Sequence, residues 1–285
     1  GAHRWWQPIG SAMHEMGVNG APVYFVSSNL HSLVNVLSGV ARRLEEEISE
    51  YIREYDPELF SEVSHIEAGE ISASRDNWLY FAARVLFDSH AKKGEYSRIR
   101  SKLEKEAGIR HIKARAGVAE SSAQVFKLSE LDPTCFDPRV GKVDPLALKA
   151  SEAAIVNIDY PLGFASYYLL REVAEQVGSL RGVYVMGKAA TLNASVGDVM
   201  ICNSVYDEHS DNTYWLENCF TAADVQPHLV YGSALDNQRA VTVRGTFLQN
   251  RDYLEFYYPG RSTVVEMAAG TFLDACYEAS RPALH

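Results

Sequence analysis

The feature that most constrains this chain is an alternation. Between residues 153 and 279, short β-branched apolar runs take turns with helical stretches. Residues 153–158, 182–186, 199–205, 240–248 and 263–266 read as strands, and 164–177 and 268–279 as helices. Strands that are apolar on both faces and separated by helices belong to a largely parallel sheet with covered faces. The expected fold class is therefore α/β, a mixed, mostly parallel sheet flanked by helices, over residues 151–285. No further strand follows the last helix, so this domain reads as C-terminally incomplete.

Residues 1–150 have a different texture and are expected to form a mostly helical extension packed on that core. One early run, residues 22–26, is β-like. Leu33, Val36, Leu37, Val40 and Leu44 then recur at helical spacing, with Glu45, Glu46 and Glu47 on a solvated face. Trp78, Phe81, Ala82, Val85 and Leu86 make one apolar stripe. Residues 124–128 read as a strand, and 140–145 as a linker. Trp5, Trp6, Trp78 and Phe81 are too apolar for a solvent-swept arm.

Charge and cysteines narrow the class. The 37 acidic residues outnumber the 27 basic ones, for a formal net charge of -10. A nucleic-acid polymer is repelled by that average field. No apolar stretch reaches 18 residues, and the N-terminus lacks the apolar core of a secretory signal. Cys135, Cys202, Cys219 and Cys276 form no CxxC pair or zinc spacing, which fits reduced thiols in a cytoplasmic protein. His209 and His228 lack matched ligand partners, so neither a metal nor a resident cofactor is expected.

Three places can carry chemistry. The first is the loop 159–163 between a strand and an aromatic helix. Tyr160 and Gly163 lie where open α/β sheets bind ligands, beside a helix N-terminus suited to an anion. The second is Gly187-Lys188-Ala189-Ala190, small residues and one cation at a strand mouth. The third is Glu266-Met267-Ala268, where a strand gives way to a helix. Asp207, Glu208 and His209 add a titratable cluster, and Tyr214 and Trp215 two rings able to stack on a base. Each also has a plain reading: a βα turn, a solvated lysine, a helix-start acid, a polar loop. Asp236, Asn237, Gln238 and Arg239 read as a turn.

Taken in order, these segments resemble the purine nucleoside/uridine phosphorylase and nucleosidase superfamily. The resemblance covers roughly residues 151–280 and is sharpest at 196–201 and 265–270. The whole chain also resembles an uncharacterised bacterial phosphorylase-like family with an extended N-terminal half. The superfamily resemblance implies cleavage of an N-glycosidic bond in a nucleoside or nucleotide, by water or by phosphate as co-substrate, in a homo-oligomer. It implies that Met267 packs on the sugar and that position 268 faces the sugar hydroxyls. There the family's second acid is Ala268, so Ala268→Glu is expected to raise turnover.

Other departures are Lys188 for the usual serine, Val185 and Met186 where an arginine is expected, and the missing terminal aspartate. In that aspartate's absence, Asp207 and His209 are the acid candidates. Two rival readings stay open. One is a catalytically reduced nucleoside-binding or sensor module on the same fold. The other is an unrelated α/β enzyme, against which stands the lack of any GxGxxG, Walker or GxSxG motif.

Overall fold

The computed structural model describes residues 1–89, 93–114, 121–245, 257 and 260–280. They divide into two compact units that do not follow chain order. The first joins Gly1–Leu30, His111–Val125 and Ala153–His285; the second joins His31–Arg110 and Phe126–Glu152. The boundary expected at residue 150 is therefore corrected. The reason is β1 (Pro22–Ser27), which pairs in parallel with two strands from beyond residue 150. Its core residues Val23, Phe25 and Val26 are buried there.

In the first unit, helix α1 is Ala2–Glu15. Strands β2 (Ile109–Ile112) and β3 (Ala123–Lys127) precede β4 (Ala154–Ile158) and β5 (Ser179–Val185). These make a five-stranded sheet of order β2-β3-β4-β1-β5. A second five-stranded sheet has the order β6-β10-β9-β7-β8. Its strands are β6 (Ala190–Thr191), β7 (Val199–Asp207), β8 (Asn212–Trp215), β9 (Ala234–Thr242) and β10 (Val264–Glu266). β9 runs parallel to both β7 and β10, while β8 folds back antiparallel on β7. The expected α/β class is the one observed, with two sheets in place of one. Residues 236–239, read as a turn, lie inside β9, where Asn237 adopts a φ of 58°. Of the strand expected at 240–248, residues 246–248 lie outside the described residues.

In the second unit, α2 (Ser32–Ser38) and α3 (Val40–Arg43) replace one continuous helix, the break falling at Gly39. They are followed by α4 (Glu45–Tyr55), α5 (Pro57–Glu67), α6 (Arg75–Asp88) and α7 (Lys93–Glu106). Short helix α8 (Pro145–Lys149) begins at the last residue of the expected linker and belongs to this unit. Ile48, Ile52, Trp78, Leu79, Ala82 and Leu86 form its core. Phe81 is 55% exposed. The buried residues of α6 are 78, 79, 82, 83 and 86, and at 100° per residue position 81 falls on the opposite face.

Two helices complete the first unit, α9 (Phe164–Gln176) and, after the short α10 (Ala222–Val225), α11 (Ala269–Ser280). α11 touches both sheets. Its Phe272 ring lies 5.8 Å from Phe25 of β1, while Ala269 and Leu273 pack on Val205 and Ala240 of the second sheet. Among the described residues, no helix is long and apolar enough to cross a membrane.

Candidate functional site

The carboxyl ends of β7, β9 and β10 converge on the N-terminus of α11. Asp207, the last residue of β7, is fully buried. Its carboxylate accepts from His209 Nδ1 at 2.9 Å, from the Ser210 backbone N at 3.0 Å and from Ser210 Oγ at 2.8 Å. Burial pushes this acid up, and the hydrogen bonds from His209 and Ser210 more than offset it, leaving it below the usual aspartate range. An ionised Asp207 fixes the tautomer of its partner: the His209 Nδ1–H donates and Nε2 points away.

Gly270 of α11 lies against Asp207. A Cβ at that position would sit 2.5 Å from Asp207 Cβ and 2.8 Å from Thr242 Oγ1, so only glycine permits the approach. The Gly270 backbone N donates to Thr242 Oγ1 at 2.7 Å, and Thr242 in turn donates to Glu266. The other carboxylate oxygen of Glu266 accepts from the backbone N of Ala268 at 2.6 Å and of Ala269 at 2.7 Å. Glu266 thus caps α11, satisfying N–H groups that a helix start leaves free. Burial holds its acid above the usual glutamate range despite those donors.

The loop after β4 reaches the same place. Gly163 has φ 55° and ψ -137°, a conformation that L side chains rarely adopt. Its N–H donates to Met267 O at 2.8 Å, and its carbonyl accepts from Ser166 Oγ at 2.6 Å and Thr271 Oγ1 at 3.0 Å. A Cβ on Gly163 would lie 3.7 Å from His209 Nε2. Phe164, next in the chain, meets the His209 ring edge-on at 4.8 Å between centroids while remaining half exposed.

The sequence-expected residues therefore fall into groups. Asp207, His209, Gly163, Glu266 and Met267 come together. Tyr160 and Gly187 form a second group, the Tyr160 ring 3.9 Å from where a Gly187 Cβ would be. Lys188 and Trp215 are exposed, Trp215 at 74%. Tyr214 is half-buried on β8 and its hydroxyl donates to Asp274 of α11. Ala268 packs against the apolar core of the first sheet, at odds with a side chain turned to sugar hydroxyls.

Sequence reasoning missed Phe164, Ser210, Thr242, Gly270 and Asp274. Asp274 carried a signal: it is the one acid within the apolar stretch Thr271 to Cys276, one helical turn after Gly270.

A family model matches residues 1–285. The chain belongs to DUF6909, a family of unknown function. No curated protein matches the DUF6909 chain. Solved structures similar to it include Helicobacter pylori 5'-methylthioadenosine/S-adenosyl homocysteine nucleosidase, at 9% identity and a TM-score of 0.43 over 93% of this chain and 82% of that one. Arabidopsis thaliana 5'-methylthioadenosine nucleosidase is similar at 10% identity and a TM-score of 0.40, over 63% of this chain and 71% of that one. Purine nucleoside phosphorylase from Toxoplasma gondii is similar at 14% identity and a TM-score of 0.37, over 64% of this chain and 68% of that one.

Proposed function

We propose that the DUF6909 chain cleaves the N-glycosidic bond of a nucleoside or nucleotide, with His209 as the acid for the leaving base. One geometry carries the reading: His209 is anchored through Nδ1 to buried Asp207, and its Nε2 lies beside the Gly163 loop that is hydrogen-bonded to Met267. Breaking a C1′–N bond leaves the electron pair on the base and positive charge on the sugar. A proton held on Nε2 passes to the base nitrogen as the bond breaks, and Asp207 stabilises the imidazolium beforehand. Water, or phosphate as co-substrate, supplies the oxygen that attacks C1′. The sugar lies against Met267, and Phe164 offers an exposed ring beside the imidazole. The loop 159–163 at the start of α9 is the place for an anionic group.

One observation favours the second reading, a binding or sensor module. Both carboxylate oxygens of Glu266 are taken up by internal donors, and Ala268 supplies no acid of its own. The two readings separate in an assay of base release from a panel of nucleosides and nucleotides, with and without phosphate. The enzyme reading expects release that falls about 10²- to 10⁴-fold in His209→Ala. Binding of a nucleoside without release of any base would leave the sensor module. Dependence on phosphate separates phosphorolysis from hydrolysis. The proposed enzyme is a homo-oligomer, because Tyr160, Leu162, Phe164 and Tyr168 leave an exposed apolar rim around the Gly163 loop. Light scattering that finds a monomer at working concentration removes this last element.

A further inference from the structure

Two buried donors stand beside one another on the second sheet without an acceptor. Among the described residues, the buried side-chain nitrogens and oxygens that lack a hydrogen-bond partner are Ser204 Oγ and Arg239 Nε. Ser204 of β7 and Arg239 of β9 are register partners, and the pairing runs on unbroken to Asp207 and Thr242. Paired residues on neighbouring strands share a face, with the strands about 4.8 Å apart. The next pair, Val205 and Ala240, packs with Leu273 of α11. Side chains alternate along a strand, so Ser204 and Arg239 lie on the other face, which carries Tyr206, Val241 and Val265. By the same alternation Asp207 and Thr242 belong to the α11 face, and the pair stands apart from the candidate site. Ser204 is 2% exposed, and Arg239 is half-buried. The Thr263 hydroxyl beside Arg239 is engaged with the Arg239 main chain, not with its guanidinium. Arg139 and Arg244, by contrast, donate through Nε to Asp137 and to the Glu208 carbonyl. The chain has 37 acidic residues, and among the described ones none pairs with the Arg239 guanidinium.

We propose that Arg239 and Ser204 bind a small oxyanion of the phosphate class, on the face of the second sheet turned away from α11. Buried donors are nearly always paired, because a bare one forfeits the hydrogen bonds that water would give it. A guanidinium partly withdrawn from water also calls for a counter-charge. Water can accept from both donors but brings no charge, whereas an oxyanion supplies acceptors and charge together. The guanidinium is a rigid planar fork that meets phosphate oxygens two at a time. The serine O–H rotates to reach another oxygen. Arg239 stays partly open to solvent, which gives a small anion its approach. Trp215 of β8 is the register partner of Ser204 on its other side, and its ring is exposed. The ligand is therefore free orthophosphate or the phosphate of a nucleoside monophosphate whose base lies towards Trp215. The inference does not depend on the role of His209.

The test uses the full chain in a buffer free of phosphate and sulfate. Orthophosphate and a nucleoside 5′-monophosphate are titrated calorimetrically into wild type, Arg239→Gln and Ser204→Ala. Arg239→Gln is expected to weaken phosphate binding about tenfold or more, and Ser204→Ala about threefold. Thermal unfolding adds a readout that a merely structural arginine would not give. Arg239→Gln removes an unpaired cation, so it should unfold no lower than wild type without phosphate and lower than wild type with it. A stability loss that is the same with and without phosphate overturns the proposal. So does the absence of phosphate binding in wild type, or equal binding by wild type and Arg239→Gln. If Arg239→Gln fails to fold, Ser204→Ala decides alone: weakened phosphate binding supports the proposal, and unchanged binding overturns it. Where the proposal holds, equal affinities for the two ligands assign free phosphate. Tighter binding of the monophosphate, lost in Trp215→Ala, assigns the nucleotide.

Discussion

Asp137 in the second unit and Asp207 in the first are both completely buried aspartates, and they are held in opposite ways. Asp137 meets a guanidinium. Arg139 donates to it from Nε at 2.9 Å and from a terminal nitrogen at 2.7 Å, its backbone N donates at 2.8 Å, and Tyr80 OH donates at 2.6 Å. Arg42 stands 3.9 Å away and also pairs with Asp76 at 3.0 Å. The Arg139 hydrogen bonds hold Asp137 well below the usual carboxylate range; burial, with the hydrogen bond to Asp137, pushes the Tyr80 phenol up, and the hydrogen bond to Asp137 raises the Arg139 guanidinium. An acid held down by a guanidinium in this way fixes shape rather than moving a proton. Among the described residues, Asp207 meets neutral donors and one histidine, and Glu266 and Asp274 nearby are acids held above their usual ranges. The lesson is that burial alone does not distinguish a structural carboxylate from a chemical one. A permanent cation at its side makes it structural, and a titratable partner makes it available for proton transfer.

The largest effect expected from this contrast is on stability. Asp137→Ala leaves Arg139 and Tyr80 without their acceptor, and the second unit should lose about 3–5 kcal/mol, read by denaturant unfolding. A loss below about 1 kcal/mol would show that the guanidinium is satisfied by water and that the contrast is overdrawn. Next is Asp207→Asn, which keeps shape but removes the charge that holds the His209 tautomer. Base release is expected to fall about 10²-fold or more with the protein still folded by circular dichroism. Equal activity would place the acid elsewhere.

A smaller effect concerns Ala268. A glutamate introduced there goes among apolar neighbours of the first-sheet core. Ala268→Glu is therefore expected to cost about 1–3 kcal/mol of stability without raising turnover, contrary to what the superfamily resemblance implies. A gain in turnover would restore the sugar-facing role of position 268.

The smallest effect is on the pH dependence of stability. Glu266 and Asp274 have folded-state acids raised above their unfolded values. What they contribute is fully present below the unfolded value and is lost as pH rises through the folded one. Asp137 is depressed, so its contribution is present above the unfolded value near 4 and is lost as pH falls below it. As pH falls towards the unfolded carboxylate range near 4, the first unit should therefore gain stability by at most about 1.4 kcal/mol per pH unit for each proton taken up, and the second should stay level. Hydrogen exchange resolved to residues 153–245 against 31–110 measures both. Parallel slopes in the two regions would mean that the two buried aspartates respond alike to pH.

The α/β alternation was legible because strands and helices write their periods into the chain. Residues 153–158 and 164–177 were found within a residue or two of β4 and α9. The unit boundary was not legible, because β1 finds its partners more than a hundred positions away, and nothing local in residues 22–27 names them. The same holds for the site. Asp207 and His209 stood out as neighbours in sequence, and Gly163 and Glu266 as strand-end residues. Thr242, Gly270 and Asp274 join them only through packing: a threonine hydroxyl under a helix start, a glycine pressed on a carboxylate, and an acid one helical turn further on. For the same reason nothing in the sequence around Tyr214 names the helix, sixty residues downstream, that accepts from its hydroxyl.

Whether the base leaves beside His209 is tested by a crystal structure with a C-nucleoside whose carbon–carbon link cannot be cleaved. A heteroatom of the base is expected within hydrogen-bond reach of His209 Nε2, the sugar against Met267, and its anionic group, if it has one, at the start of α9. An analogue bound elsewhere, with His209 Nε2 still facing the Gly163 loop alone, would contradict it.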